Sequence, residues 1–133
     1  MQLNPYLEFN GQCEAAFKFY EKCLGGKIEG MIPYAGSPAE QQVPEGSRNQ
    51  ILHAYLVVNG QGLMGSDCPP KMFNQPKGFS VTLNFKDTAE AERVFDELAK
   101  NGTVKMPLEK TFWASRFGML TDQFGIPWMI NCE

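Results

Sequence analysis

The side chains that could carry acid–base chemistry are few in this sequence. His53 is the only histidine, and Glu8 lies in a segment where apolar and polar residues alternate. Histidine and glutamate are common general acids and bases, so this pair is the candidate for catalysis by proton transfer. Two structural roles stay open beside that one: His53 can be a hydrogen-bonded, half-buried histidine, and Glu8 can be a surface glutamate on an edge strand.

Aromatic and basic side chains supply candidates for binding a small molecule. Tyr55 follows the histidine by two residues, which places both on one face of a strand. Arg116 could pair with an anionic ligand through two hydrogen bonds, and Tyr6 and Trp113 could stack on a flat ligand. Core packing is the alternative role for both tryptophans, more firmly for Trp128, which alternates with a methionine.

The four cysteines have no metal-binding or redox spacing. No pair among Cys13, Cys23, Cys68 and Cys132 has the gap of about two to four residues typical of zinc knuckles. Cys13 and Cys23 fall in one predicted helix, about 15 Å apart along its axis, which is too far for a disulfide. The N-terminus lacks the pattern of a signal peptide, so we expect a cytoplasmic protein with free thiols.

The composition is that of a globular protein and disfavours two kinds of partner. Of the 133 residues, 43% are hydrophobic and 20% are charged, and the formal net charge is −3. A protein that neutralises nucleic-acid phosphates needs a basic excess, which this chain lacks. No apolar run reaches the roughly 18 residues that span a membrane. We therefore expect neither nucleic acid nor a membrane as a partner.

An internal repeat organises the chain. A shift of 76 residues brings two stretches into register, and the matched pairs are Leu7 with Leu83, Phe9 with Phe85, Glu14 with Glu90, Phe19 with Phe95 and Gly26 with Gly102. Each half predicts a strand, an amphipathic helix that ends at a glycine, and three further strands. The order is therefore βαβββ twice, in modules of about 1–67 and 78–133 within a single domain of 1–133. A proline-rich linker, 68–77, joins them.

The predicted elements have the following bounds. Strands are expected at 4–9, 27–34, 51–58 and 62–66, and again at 80–85, 103–108, 112–121 and 126–131. Helices are expected at 11–24 and 88–100, with Asp87 or Thr88 as the N-cap of the second. The first helix has Ala16, Phe19, Tyr20 and Cys23 on one face, and the second has Ala91, Val94, Phe95 and Leu98.

Several motifs resemble the PhnB-like branch of the vicinal oxygen chelate superfamily, which includes glyoxalase I and the bleomycin resistance proteins. They are YLEFNGQCEAAFKFY at 6–20, LGG at 24–26, HAYL at 53–56, LMGSD at 63–67 and FWASRFGMLTDQFGIPWMINCE at 112–133. The resemblance covers essentially the whole chain. Members often carry a ubiquinone-methyltransferase label, which we do not transfer, because no glycine-rich loop follows the first strand as a methyl-donor site of the Rossmann type requires.

The resemblance implies an α+β fold in which the two modules form a cupped, eight-stranded mixed sheet with the helices on its convex face. The concave face would enclose a cavity. Strand alternation points one set towards the helices, namely Leu7, Phe9, Val81, Leu83 and Phe85. It points a polar set into the cavity, namely Asn4, Tyr6, Glu8, Ser80, Thr82 and Asn84.

The resemblance also predicts where a metal would lie. Metal-dependent relatives hold histidine, glutamate or glutamine ligands at four places, which correspond here to Asn4, about Met64, Ser80 and Met129. An amide, a hydroxyl and two thioethers are poor ligands for hard or borderline divalent ions. We therefore expect no catalytic metal and no other cofactor, with these four residues and Thr82 contacting a ligand instead.

Two functions are compatible with these residues. The first is a metal-free protein that binds a small molecule in the cavity, as bleomycin resistance proteins do. The alternative is an enzyme, a lyase, isomerase or hydrolase, that uses Glu8 and His53. The resemblance further implies a homodimer in which the chains exchange modules or pair without exchange. The residues do not identify the ligand, and they form no recognisable phosphonate site.

Overall fold

A computed structural model describes residues 1–133. The chain divides into two compact units, Met1–Asn74 and Gln75–Glu133, and the division falls within the predicted 68–77 linker. Each unit contains one βαβββ module with its own four-stranded mixed sheet. The predicted fold class is confirmed by these two modules.

The first unit contains strands β1 (Tyr6–Phe9), β2 (Lys27–Pro33), β3 (Ile51–Val58) and β4 (Gln61–Asp67), and helix α1 (Cys13–Leu24) between β1 and β2. The order in the sheet is β1-β4-β3-β2. The β1–β4 pair is parallel and the other two pairs are antiparallel. The last strand in sequence therefore lies in the interior of the sheet, next to the first.

The second unit repeats this plan with strands β5 (Val81–Phe85), β6 (Thr103–Glu109), β7 (Arg116–Thr121) and β8 (Pro127–Cys132), and helix α2 (Thr88–Ala99) between β5 and β6. Its sheet order is β5-β8-β7-β6, again with the first pair parallel. Each helix has 12 residues, and neither has the length and apolar character needed to cross a bilayer.

Each helix covers one face of its own sheet. The second helix buries the four residues that the sequence predicts. The first buries Phe17 instead of the predicted Phe19, which is only half-buried. Phe17 lies one residue after Ala16 and three before Tyr20, so it belongs to the same stripe. Strand residues such as Leu7, Phe9, Ala54 and Leu56 complete the first core.

The helix ends follow the expected chemistry with one correction. The Asp87 carboxylate caps α2 by accepting a hydrogen bond from the Ala89 N–H at 3.0 Å, and Gly25 ends α1 at φ 72°. The left-handed residue after α2 is Asn101 at φ 60°, not Gly102. Gly102 is required for another reason: a Cβ there would collide with the Thr121 carbonyl oxygen.

The predicted strand 112–121 begins four residues later than expected, at Arg116. Residues before it form a turn in which Thr111 Oγ1 accepts a hydrogen bond from the Ala114 N–H at 3.1 Å. The Thr111 N–H donates to the Ala114 carbonyl, also at 3.1 Å. These local bonds satisfy backbone groups of the turn, and Phe112 and Trp113 lie on an exposed loop.

Candidate functional site

The face of the first sheet opposite α1 brings three predicted ligand residues into one row. Tyr6 of β1 lies opposite Met64 of β4, and Met64 lies opposite Tyr55 of β3. Their sequence neighbours Leu7 and Leu63 are buried on the helix side. Since side chains alternate between faces, the row lies on the face that no helix covers.

A cavity of about 540 Å³ lies against this face. It is lined by Gln2, Leu3, Asn4, His53, Tyr55 and Met64. Four of these six residues are candidates from the sequence, and the fold brings them together from three separate segments. Gln2 and Leu3 precede the first strand, where no periodicity or motif indicates a site.

Aromatic rings border the cavity. The rings of Tyr6 and His53 have centroids 6.0 Å apart at an interplanar angle of 33°, and Tyr6 is 46% exposed. A Cβ at Gly62 would lie 2.5 Å from Cε1 of Tyr55 and 3.0 Å from Nδ2 of Asn4. The bare glycine backbone therefore lets the Tyr55 ring and the Asn4 amide lie close against β4.

Glu8 lies on the same face as Tyr6 but is not among the residues that line the cavity. It is exposed, and its partner across the strand pair is Ser66. The Cys68 thiol lies near the Glu8 carboxylate. Burial first, and then the negative charge of Glu8, raise the pKa of Cys68. Of the two predicted acid–base residues, His53 therefore lines the cavity and Glu8 does not.

Cys68 is expected to be the one cysteine that iodoacetamide alkylates in the folded protein, because Cys13, Cys23 and Cys132 are buried. Its reaction at pH 7 should be slower than that of a free thiol, because its raised pKa leaves less thiolate. Glu8→Gln removes the charge and should increase the rate several-fold. Mass spectrometry after timed labelling measures both effects. An unchanged rate in Glu8→Gln would show that the carboxylate does not restrain the thiol.

The remaining candidates belong to the second unit. Thr82 of β5 lies opposite Met129 of β8, on the sheet face away from α2, and Ser80 directly precedes β5. Trp113 is 54% exposed, and its ring centroid lies 5.3 Å from that of Phe117. Thr82, Met129 and Ser80 repeat in the second module the positions of Tyr6, Met64 and Asn4 in the first.

Arg116 already has partners within its own unit. Its Nε donates to Glu92 of α2 at 3.2 Å, and its Nη1 donates to the Ser115 carbonyl at 2.7 Å. The contact with Glu92 places the guanidinium on the helix side of the sheet, away from the face that carries Met129. Arg116 is therefore left out of the site that we propose below.

Two buried carboxylates hold the framework, and neither is among the sequence candidates. Asp67 accepts hydrogen bonds from the N–H groups of Gly11, Cys13 and Ile51, each at 2.9 Å. These bonds join the end of β4 to the start of α1 and to the start of β3, the strand that carries the cavity histidine. The LMGSD motif contained the residue, but its chemistry gave no sign that three distant backbone groups would converge on it.

Asp122 has the corresponding role in the turn between β7 and β8. Its Oδ1 accepts hydrogen bonds from Phe124 N–H at 2.8 Å and Ile126 N–H at 3.0 Å. Its Oδ2 accepts from Nε1 of the buried Trp128 at 2.8 Å. The second tryptophan therefore packs in the core of its unit, which is the structural alternative that the sequence favours for it.

Comparison with known proteins places the chain among close relatives. The family model described as 3-demethylubiquinone-9 3-methyltransferase matches residues 1–131. Protein YjdN of Escherichia coli (strain K12) is 37% identical over 139 residues, which cover 98% of this chain and 95% of that protein. The crystal structure of protein PA1353 from Pseudomonas aeruginosa is 48% identical with a TM-score of 0.92, and the match covers 100% of this chain and 98% of that one.

A more distant structure has the same fold. A putative 3-demethylubiquinone-9 3-methyltransferase, PhnB protein, from Bacillus cereus is 24% identical with a TM-score of 0.84, and the match covers 100% of both chains. At this identity the similarity shows the fold alone.

Proposed function

We propose that this chain, which belongs to the PhnB-like family described by the 3-demethylubiquinone-9 3-methyltransferase model, binds a small organic molecule without a metal ion. Family membership and the two βαβββ modules confirm the predicted place in the vicinal oxygen chelate superfamily and its glyoxalase fold. The observation that carries the proposal is the cavity of about 540 Å³ on the uncovered face of the first sheet. It is open to solvent, and its volume falls within the range of small-molecule sites.

The side chains at the positions where relatives hold metal ligands support binding without a metal. Asn4 and Met64, two of the four positions that hold ligands in metal-dependent relatives, both line the cavity. An amide and a thioether give a divalent ion neither the charge nor the basic nitrogen that it prefers. No three side chains of histidine, cysteine, aspartate or glutamate lie close enough together to hold a metal ion.

The methyltransferase activity in the name of the family model is not part of the proposal. A methyl donor of the nucleotide type is held by a glycine-rich turn between a strand and the N-terminus of a helix. The turn from β1 to α1 contains one glycine, Gly11, and the turn from β5 to α2 contains none. Two of the N–H groups at the start of α1 are already bonded to Asp67.

An acid–base enzyme is the second candidate, and the position of His53 favours it. The imidazole lines the cavity and lies beside the Tyr6 ring, so it could exchange a proton with a bound molecule. Glu8 would act from outside the lining, since it lies on the same face of β1 as Tyr6 but is not among the residues that line the cavity.

Thermal-shift screening of dialysed protein against a metabolite collection, with turnover assays on each hit, tests these functions. Stabilisation without turnover is the expected result, and His53→Ala and Asn4→Ala should weaken it. Turnover that falls in His53→Ala or Glu8→Gln would favour the enzyme. Elemental analysis of the same sample should find no stoichiometric metal, and about one divalent ion per chain would refute the metal-free proposal.

We also propose that the protein is a cytoplasmic homodimer, with or without exchange of modules. Large apolar side chains remain exposed on both units, among them Ile32, Phe79 and Phe112, and a second copy could cover them. Light scattering at micromolar concentration should give the mass of two chains, and the mass of one chain would count against the dimer.

A further inference from the structure

We infer that the cavity selects an uncharged, flat aromatic molecule with hydrogen-bonding substituents and disfavours anions. This inference rests on the proposed function, because it names the class of ligand for the same cavity. Two observations carry it: the chemistry of the lining and the way in which Gly62 places Tyr55 and Asn4.

The lining contains no lysine, arginine, aspartate or glutamate. An anionic ligand such as a carboxylate or a phosphate would therefore enter without a lysine or arginine side chain to replace its hydration, which is costly. Glu8 adds repulsion, since it follows Tyr6 by two residues on the same face, about 6.6 Å further along the strand. The net charge of −3 also disfavours the approach of an anion.

The aromatic groups favour a flat ligand. Three rings, those of Tyr6, His53 and Tyr55, belong to or border the lining, and the first two are in ring contact. Aromatic rings bind other rings in offset-stacked or edge-to-face arrangements, which a planar ligand can match. The Met64 thioether adapts to the shape of an apolar surface and makes favourable contacts with rings.

Polar groups of the cavity lining favour a ligand with hydrogen-bonding substituents. The Asn4 amide can donate and accept, the Tyr55 hydroxyl can do both, and the His53 imidazole offers one nitrogen of each kind when neutral. Ligand hydroxyl, carbonyl or amino groups would satisfy them. A purely apolar ring would leave these groups unpaired and bind more weakly.

Gly62 controls the placement of two of these groups. An added Cβ would lie 2.5 Å from Cε1 and 2.8 Å from Oη of Tyr55, and 3.0 Å from Nδ2 of Asn4. These distances are too short, so alanine would push the phenol and the amide away from β4. Both are the free ends of side chains, which can move into the cavity while the backbone stays in place. Gly62 is therefore a specificity-determining residue whose substitution should affect binding more than stability.

The test compares three probes of similar shape and different charge at pH 7: 2-naphthol, 2-naphthoate and 2-naphthyl phosphate. Binding is measured by saturation-transfer NMR and by chemical shifts of the labelled protein, in low salt so that charge effects are not screened. We expect 2-naphthol to bind at least about fivefold more tightly than either anion. Glu8→Gln should reduce that ratio at least about twofold by strengthening the binding of 2-naphthoate.

Gly62→Ala should weaken the binding of 2-naphthol about three- to tenfold, with a small change in Tm. The matched control is Gly46→Ala, where a Cβ meets no atom within 4 Å, and it should leave binding unchanged. Equal or tighter binding of the anions to the wild type, or no effect of Gly62→Ala, would overturn the inference while binding itself stands. Failure of all three probes together with an empty metabolite screen would overturn the proposed function.

Discussion

Replacing Asp67 with alanine is expected to lower the free energy of unfolding by about 3–5 kcal/mol, a large part of the total for a domain of this size. The carboxylate is 1% exposed and accepts hydrogen bonds from three backbone N–H groups at 2.9 Å. Alanine leaves those donors without partners, those of Cys13 and Ile51 in buried positions, and each unpaired buried donor costs about 1–3 kcal/mol. The loss should also loosen the start of β3 at Ile51, two residues before His53.

Urea unfolding followed by circular dichroism measures this effect. The matched control is Asp96→Ala on the exposed side of α2, which should change stability by less than about 0.5 kcal/mol. If both variants unfold at the wild-type midpoint, Asp67 does not hold the first unit together. If Asp67→Ala is too unstable to purify, hydrogen exchange in a milder variant, Asp67→Asn, should show faster exchange of the Gly11, Cys13 and Ile51 amides.

Replacing Trp128 with alanine is expected to cost about 3–5 kcal/mol, for a different physical reason. Trp128 is 1% exposed and is the largest fully buried side chain of the protein. Its removal leaves a cavity in the core of the second unit and takes away the Nε1 donor of the 2.8 Å hydrogen bond to Asp122. That carboxylate, 3% exposed, would then remain buried with fewer partners.

A milder variant separates packing from hydrogen bonding. Trp128→Phe keeps most of the ring volume and removes the donor, so it should cost about 1–3 kcal/mol. The control is Trp113→Phe on the exposed loop, for which a change below about 0.5 kcal/mol is expected. Circular dichroism is the better probe here, since both substitutions alter fluorescence directly. Equal stability of Trp128→Phe and Trp113→Phe would mean that the bond to Asp122 contributes nothing measurable.

Much of the fold could be predicted because it depends on short-range patterns. The 76-residue repeat, the alternation in the strands and the stripe on α2 are visible in the sequence. The prediction from sequence patterns was wrong at two places where the local backbone conformation differs from the one expected. The Thr111 turn moved the start of the predicted strand from 112 to 116, and Asn101 took the left-handed position that a glycine was expected to occupy.

The candidate site was predictable only in part. Asn4, His53, Tyr55 and Met64 were candidates because the resemblance and strand alternation placed them on one face, and all four line the cavity. Arg116 was a candidate only because an arginine can pair with an anion. Its register on β7 directs its side chain to Glu92, on the helix side of the sheet. Gln2 and Leu3 carry no periodic or chemical signal.

The sequence by itself determined the two modules, the order of their elements, and the shortage of reactive groups at the positions where relatives hold a metal. The modules and the order of their elements follow from local periodicity, which each segment carries independently, and the positions where relatives hold a metal follow from the resemblance. Only the tertiary structure decided which polar groups meet. Strand register placed Tyr6, Met64 and Tyr55 in one row. The packing of the end of β4 beside the starts of α1 and β3 brought three backbone N–H groups, distant in sequence, to Asp67. Such contacts join residues far apart in the chain, so no local pattern can specify them.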